Sequence, residues 1–118
     1  MKETKLIITI NDEKLSAVLE ENAASRNLIK QLPLNITMDD LFRREKYMNH
    51  FELEAGKSNT SYYSKGDISY YLPMNALVFY YEGEQEPLNG LVKLGEITNG
   101  IEKLTSYSGS VDVKIEVK

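Results

Sequence analysis

Two short runs set the terms for this chain. Ile68-Ser69-Tyr70-Tyr71-Leu72 and Ala76-Leu77-Val78-Phe79-Tyr80-Tyr81 are rich in β-branched and aromatic residues, and Pro73-Met74-Asn75 alone separates them. Neighbouring residues on a strand point to opposite faces, so each tyrosine pair sends one ring to either side of a sheet. A flat sheet of this kind would leave a tyrosine-rich edge open to other chains, and closing it into a barrel removes that edge.

The rest of the chain supplies the staves. Lys5 to Ile10 and Lys14 to Leu19 read as a hairpin about Asn11-Asp12. Asn22 is an N-cap for a helix carrying Leu28, Ile29 and Leu32 on one face. Pro33 ends it, because the residue before proline is driven out of the helical region. Leu34 to Met38 alternates apolar and polar. Asp39 to Lys65 is charge-dense and then rich in small polar residues, and reads as a long surface excursion, containing at most a short turn of helix or a strand fragment, of the kind that often carries binding. Glu82 to Leu88 reads as an acidic turn. Leu91 to Ile97 reads as a strand with a bulge or close approach at Gly95, Ile101 to Leu104 as a short helix, and Ser110 to Lys118 as a cleanly alternating final strand. About seven or eight strands arriving in hairpins, with two helices, predict a closed or nearly closed antiparallel barrel. Residues 1–118 form one domain on this reading, without repeat or linker.

Composition removes several chemistries. The 118 residues contain no Cys and no Trp, and one His against 8 Tyr. Thiol chemistry, disulfides and cysteine-held metals are therefore out, and a two-histidine metal site cannot form within one chain. The formal charge of −4 without a basic run argues against nucleic acid. The short apolar run at Leu6 to Ile10 is neither a leader nor a membrane span, so a soluble cytoplasmic protein is the expectation.

The order of elements resembles the small bacterial cyclophilin-like proteins. The resemblance rests on Leu28 to Met38 (LIKQLPLNITM), Gly66 to Tyr81 (GDISYYLPMNALVFYY) and Leu91 to Leu104 (LVKLGEITNGIEKL). It implies an eight-stranded antiparallel barrel capped by a short helix at each end, in a group without an established activity. True cyclophilins are prolyl isomerases with an arginine in a Phe-x-Arg-x-x-Pro-x-Phe-Met-x-Gln-Gly-Gly run, which is absent here. Arg26, Arg43 and Arg44 sit in no comparable motif, and the isomerase histidine position falls at Leu91. Phe79 or its neighbour Val78 matches the phenylalanine that floors the proline pocket. Amide rotation needs a donor to weaken resonance in the twisted state, and without one a pocket binds but catalyses poorly.

The resulting expectation is a cleft on the barrel wall between the Asp39–Lys65 excursion and the Phe79 strand. Arg43, Arg44 and His50 supply polar contacts, and Phe51, Tyr70, Met74 and Phe79 an apolar floor. The partner is a small molecule or an extended peptide, with no cofactor and no metal. A weak isomerase and an oligomerisation module built on the outer tyrosines are the alternatives. His50 with Asp39, Asp40 or Glu52 and one of Ser58, Ser61 or Ser64 composes a triad on paper, but a loop histidine is the plainer account. Asp39, Asp40, Glu45 and Glu52 lack calcium-loop spacing and read as a solvated acidic face. The tyrosine pairs either fill and cover the barrel or line a groove.

Overall fold

Asn11 and Asp12 both take left-handed backbone, with φ of 46° and 77°. That two-residue turn matches strand twist and sets the register Ile10 opposite Glu13. It joins β1 (Thr4–Ile10) to β2 (Glu13–Leu19). Leu6, Ile8 and Ile10 on one strand, and Leu15, Ala17 and Leu19 on the other, point inward and are buried. The computed structural model describes residues 3–118.

Helix α1 (Ala23–Ile29) starts where its cap predicts: the Asn22 side chain accepts from the Ser25 N–H at 2.8 Å. The same side chain donates through Nδ2 to the Lys93 carbonyl at 3.2 Å, and Ser25 Oγ donates to the Leu94 carbonyl at 2.8 Å. The helix is thus fixed by its N-terminal turn as well as by Ala24 and Leu28, which enter the core. Asn22→Ala should lower unfolding stability by about 1–2 kcal/mol, read as a shifted denaturant midpoint.

The remaining strands are β3 (Leu34–Leu41), β4 (Glu45–Met48), β5 (Thr60–Tyr63), β6 (Asp67–Tyr71), β7 (Ala76–Tyr80), β8 (Glu86–Asn99) and β9 (Val111–Val117). Eight of them run in the order β2-β1-β9-β3-β4-β7-β6-β8, and β8 pairs back onto β2 to close an antiparallel barrel. The ninth, β5, pairs with the first half of β8, beyond the end of β2. The barrel expected from the sequence is therefore present, with one strand added outside its circuit.

Three local expectations need correction. The Asp39–Lys65 segment is more than a surface excursion with a strand fragment: it completes β3, contributes β4, a stave between β3 and β7, and supplies β5. Its charges did not prevent this because Lys46 points inward and finds partners there. Glu82 to Leu88 is not all turn, since β8 begins at Glu86, where it finds β5. The second helix is a 3₁₀ turn, Ile101–Ser106, and another 3₁₀ turn, Leu72–Met74, joins β6 to β7.

The tyrosine pairs divide as strand geometry requires. Tyr70 and Tyr81 lie in the barrel core, while Tyr71 and Tyr80 lie outside it in a second apolar cluster with Tyr63, Val78 and Leu91. Tyr63 comes from β5 and stacks on Tyr80, with centroids 4.0 Å apart. The Tyr80 ring is fully buried by the chain's own β5, with no second subunit needed to cover it. Among the described residues its hydroxyl has no hydrogen-bond partner, and burial, followed by the charge of Glu45, pushes its pKa far above the ordinary phenol range.

Candidate functional site

Between α1 and the turn after β6 lies a groove of about 710 Å³, lined by Asn27, Gln31, His50 to Glu54, Tyr70 and Asn75. Four pieces of chain meet there. Asn27 and Gln31 stand four residues apart, so the helix and the turn after it present both amides on one face. Residues 51 to 55 pair with no strand, but their burial alternates as in an extended chain, with Phe51 and Ala55 buried, Leu53 half-buried, and Glu52 and Glu54 exposed. Tyr70 rises from β6. Asn75 follows the 3₁₀ turn with φ of 50°, and His50 opens the extended segment with φ of 58°.

Hydrogen bonds hold these pieces together. Tyr70 donates its hydroxyl to the Phe51 carbonyl at 2.5 Å, and the Phe51 N–H donates to the Asn75 carbonyl at 2.8 Å. Gln31 Nε2 donates to the Glu52 carbonyl at 2.9 Å, and the Glu54 N–H to Asn27 Oδ1 at 3.0 Å. Burial, then the charge of Glu52, raises the Tyr70 phenol above its usual range, which keeps it a donor to higher pH than a free tyrosine. Non-glycine residues in left-handed backbone cost of order 1 kcal/mol each. Two of them, His50 and Asn75, flank this groove.

The residues expected at a cleft are separated. His50, Phe51 and Tyr70 line the groove, and Met74 stands half-exposed beside it, its carbonyl accepting the His50 N–H at 3.5 Å. Phe79 points into the barrel and is 1% exposed, opposite Lys46 on β4 and Ile68 on β6. Arg43 and Arg44 lie at the other end of β4, at the tip of the β3–β4 hairpin. Arg44 Nε donates to Glu45 Oε1 at 2.7 Å, and its guanidinium lies 5.2 Å from the Tyr63 ring centroid and 5.6 Å from that of Phe42. Burial raises the Glu45 carboxyl above the ordinary range, and the Arg44 pairing offsets only part of this. No arginine therefore stands over Phe79.

Asn27, Gln31, Leu53, Glu54 and Asn75 also line the groove without any sequence signal that singles them out as site residues, and Glu52 lines it after standing out only as a partner for His50 or a metal. The Asn27/Gln31 spacing on the polar side of a short helix was the available signal. The triad on paper does not assemble. Among the described residues no hydrogen bond joins the His50 ring to a serine or a carboxylate: the Ser58 hydroxyl shares its proton between the carbonyls of Thr60 and Leu91, Ser64 Oγ accepts from the Gln85 N–H, and Asp39 accepts from Ser110 Oγ. Asp40 is held by Lys46 and Tyr81. A second depression, of about 980 Å³, covers the outer face of β1, β9 and β3 around Thr9, Asn35, Thr37, Asp112 and Lys114. Its strands are paired with one another along that face, so it offers side chains but little free backbone.

Among the described residues, no helix is long and apolar enough to cross a membrane. A family model described as the Cyclophilin-like family matches residues 8–116. The chain is also similar to a hypothetical protein from Archaeoglobus fulgidus whose solution structure is known. The TM-score is 0.72 at 20% identity, covering 98% of this chain and 95% of that one, which shows a shared fold. No curated protein matches.

Proposed function

As the chain belongs to the Cyclophilin-like family, we propose that it uses the barrel as a binding module, and that the groove between α1 and Tyr70 takes a small molecule or an extended peptide. The observation that carries this reading is the convergence of three amide side chains on a partly aromatic floor, between two residues held in left-handed backbone. Pockets of this volume with a few convergent polar groups are the usual form of a small-ligand site. Glu54 takes up the Asn27 amide and Glu52 the Gln31 amino group, so among the described residues Gln31 Oε1 and the Asn75 amide remain to meet a neutral hydrogen-bonding ligand or a peptide backbone.

Isotope-labelled protein titrated with a library of amide- and hydroxyl-bearing fragments tests it. The expected result is a set of amide shifts confined to His50 to Glu54, Tyr70, Asn75 and the end of α1. Shifts scattered over the surface, or grouped on β1, β9 and β3, would move the site elsewhere. A coupled assay on proline tetrapeptides should show no rate above background even at high protein concentration, because Arg43 and Arg44 sit at the far end of β4. Acceleration abolished by Arg44→Ala would establish the isomerase reading instead.

A further inference from the structure

The extended segment beside the groove uses its backbone unevenly. In an extended chain the N–H and C=O of one residue point to one side, and those of the next residue to the other. The Glu52 carbonyl and the Glu54 N–H turn toward α1 and the turn after it, where Gln31 and Asn27 meet them. Phe51 turns the opposite way and is satisfied by Asn75 and Tyr70. Leu53 shares the side of Phe51, lines the groove, and has no hydrogen-bond partner for its N–H or C=O among the described residues. A donor and an acceptor side by side on extended backbone form the template to which another extended chain adds.

Charge narrows the class further. Glu52 and Glu54 flank Leu53 and are exposed, and neither lysine nor arginine lines the groove. The chain as a whole carries −4. We propose that the groove docks an extended peptide bearing lysine or arginine, its backbone bridged to Leu53 and its basic side chains answering Glu52 and Glu54. This rests on reading the groove as the binding site, and adds to it the ligand class and the atoms that recognise it. One bridged residue and two exposed charges support weak binding, with Kd on the order of 0.1–1 mM at low salt.

The full chain, isotope-labelled, is titrated with a blocked Ala-Lys-Val-Lys-Ala peptide, with its Ala-Glu-Val-Glu-Ala counterpart, and with the lysine peptide N-methylated at valine. The lysine peptide should shift the amides of Glu52, Leu53 and Glu54 most. N-methylation should weaken it tenfold or more, and Glu52→Gln with Glu54→Gln about fivefold, an effect that 1 M salt also produces. Equal binding of the N-methylated peptide overturns the backbone bridge. Equal binding of the acidic peptide overturns the charge selection. If fragments shift the groove and no peptide does, this inference fails while the broader reading stands; if neither does, both fail.

Discussion

Gly95→Ala should cost more than about 3 kcal/mol of unfolding stability, read as a large fall in the denaturant midpoint. Single-domain stabilities are about 5–15 kcal/mol, so a loss of this size is a large share of the total. The reason lies at the seam that closes the barrel. Gly95 pairs with Leu19 on β2, and a Cβ placed on it would stand 2.0 Å from the Val18 carbonyl oxygen and 2.8 Å from the Leu19 Cα. All three nearest atoms are backbone, so no side chain can swing aside. Accommodation means separating β2 from β8, the one pairing that turns an open sheet into a barrel. The register with β6 also slips here: Ile68 opposes Gly95 and Ser69 opposes Lys93, leaving Leu94 as the extra residue. Its carbonyl leaves the ladder to accept from Glu20 N–H at 2.7 Å and from Ser25 Oγ. Overpacking usually costs about 1–3 kcal/mol, and contact with fixed backbone puts this case at or past the upper end. Gly109→Ala supplies the contrast. Gly109 has positive φ but nothing within 4 Å of an added Cβ, so its cost is limited to about 1 kcal/mol of backbone preference. Denaturant midpoints measured for both variants decide the matter, and a Gly95→Ala protein within 1 kcal/mol of the parent would sink the argument.

Elements whose causes are local could be read from the sequence. The Asn11-Asp12 turn, the Asn22 cap and the alternation of β9 each carry their own chemistry within a few residues. The division of Tyr70 from Tyr71, and of Tyr80 from Tyr81, followed from pleating alone. Gly95 was legible as a close approach, although its partner on β2 was not. The illegible part was β4 and its flanks, and the reasons are physical. The β3–β4 hairpin turns on Phe42 and Arg43 in left-handed backbone, with φ of 56° and 52°, where glycine or asparagine would have signalled the turn. The strand that follows begins with Glu45 and Lys46, which propensity assigns to a surface. Lys46 is inside because carbonyls some sixty residues later in the chain receive it, and nothing near it in the sequence encodes that. The groove suffered the same fate. Its members come from a helix, an irregular segment, the strand β6 and two turns, so His50, Phe51 and Tyr70 were accessible as unusual residues while Asn27 and Gln31 looked like ordinary helix surface. Arg43 and Arg44 drew attention as charges next to His50 in sequence, but a strand of four residues carries them to the opposite end of the wall.

Lys46→Met should destabilise the protein by about 3–5 kcal/mol at neutral pH although methionine nearly matches the lost volume. Lys46 is fully buried, and its ammonium donates to the carbonyls of Tyr107 at 2.8 Å and Gly109 at 2.9 Å. It also pairs with Asp40 Oδ1 at 3.1 Å, and the Tyr81 hydroxyl donates to the same carboxylate. The ammonium thus ties β4 to the segment leading into β9 and supplies the charge that Asp40 needs. Removing one partner of a buried pair strands the other, which is where the 3–5 kcal/mol arises. The pH dependence separates this from a packing defect. Burial by itself would raise the Asp40 carboxyl, but the hydrogen bonds from Tyr81 and Lys46 and the charge of Lys46 outweigh it, and the carboxyl lies below its ordinary value of 3.8. Between that value and the lower folded one the unfolded chain binds more protons, so this contribution is full above about pH 4 and is lost as pH falls. In Lys46→Met the ammonium is gone and burial regains weight, so the Asp40 carboxyl rises and its protonation relieves the folded state. The deficit of the variant should therefore shrink between pH 7 and pH 3, and Asp40→Asn added to Lys46→Met should recover part of it at pH 7. Urea unfolding of the parent, both single variants and the double variant at the two pH values measures all of this. A deficit unchanged with pH, together with a double variant no better than Lys46→Met, would mean that Lys46 serves only to fill space.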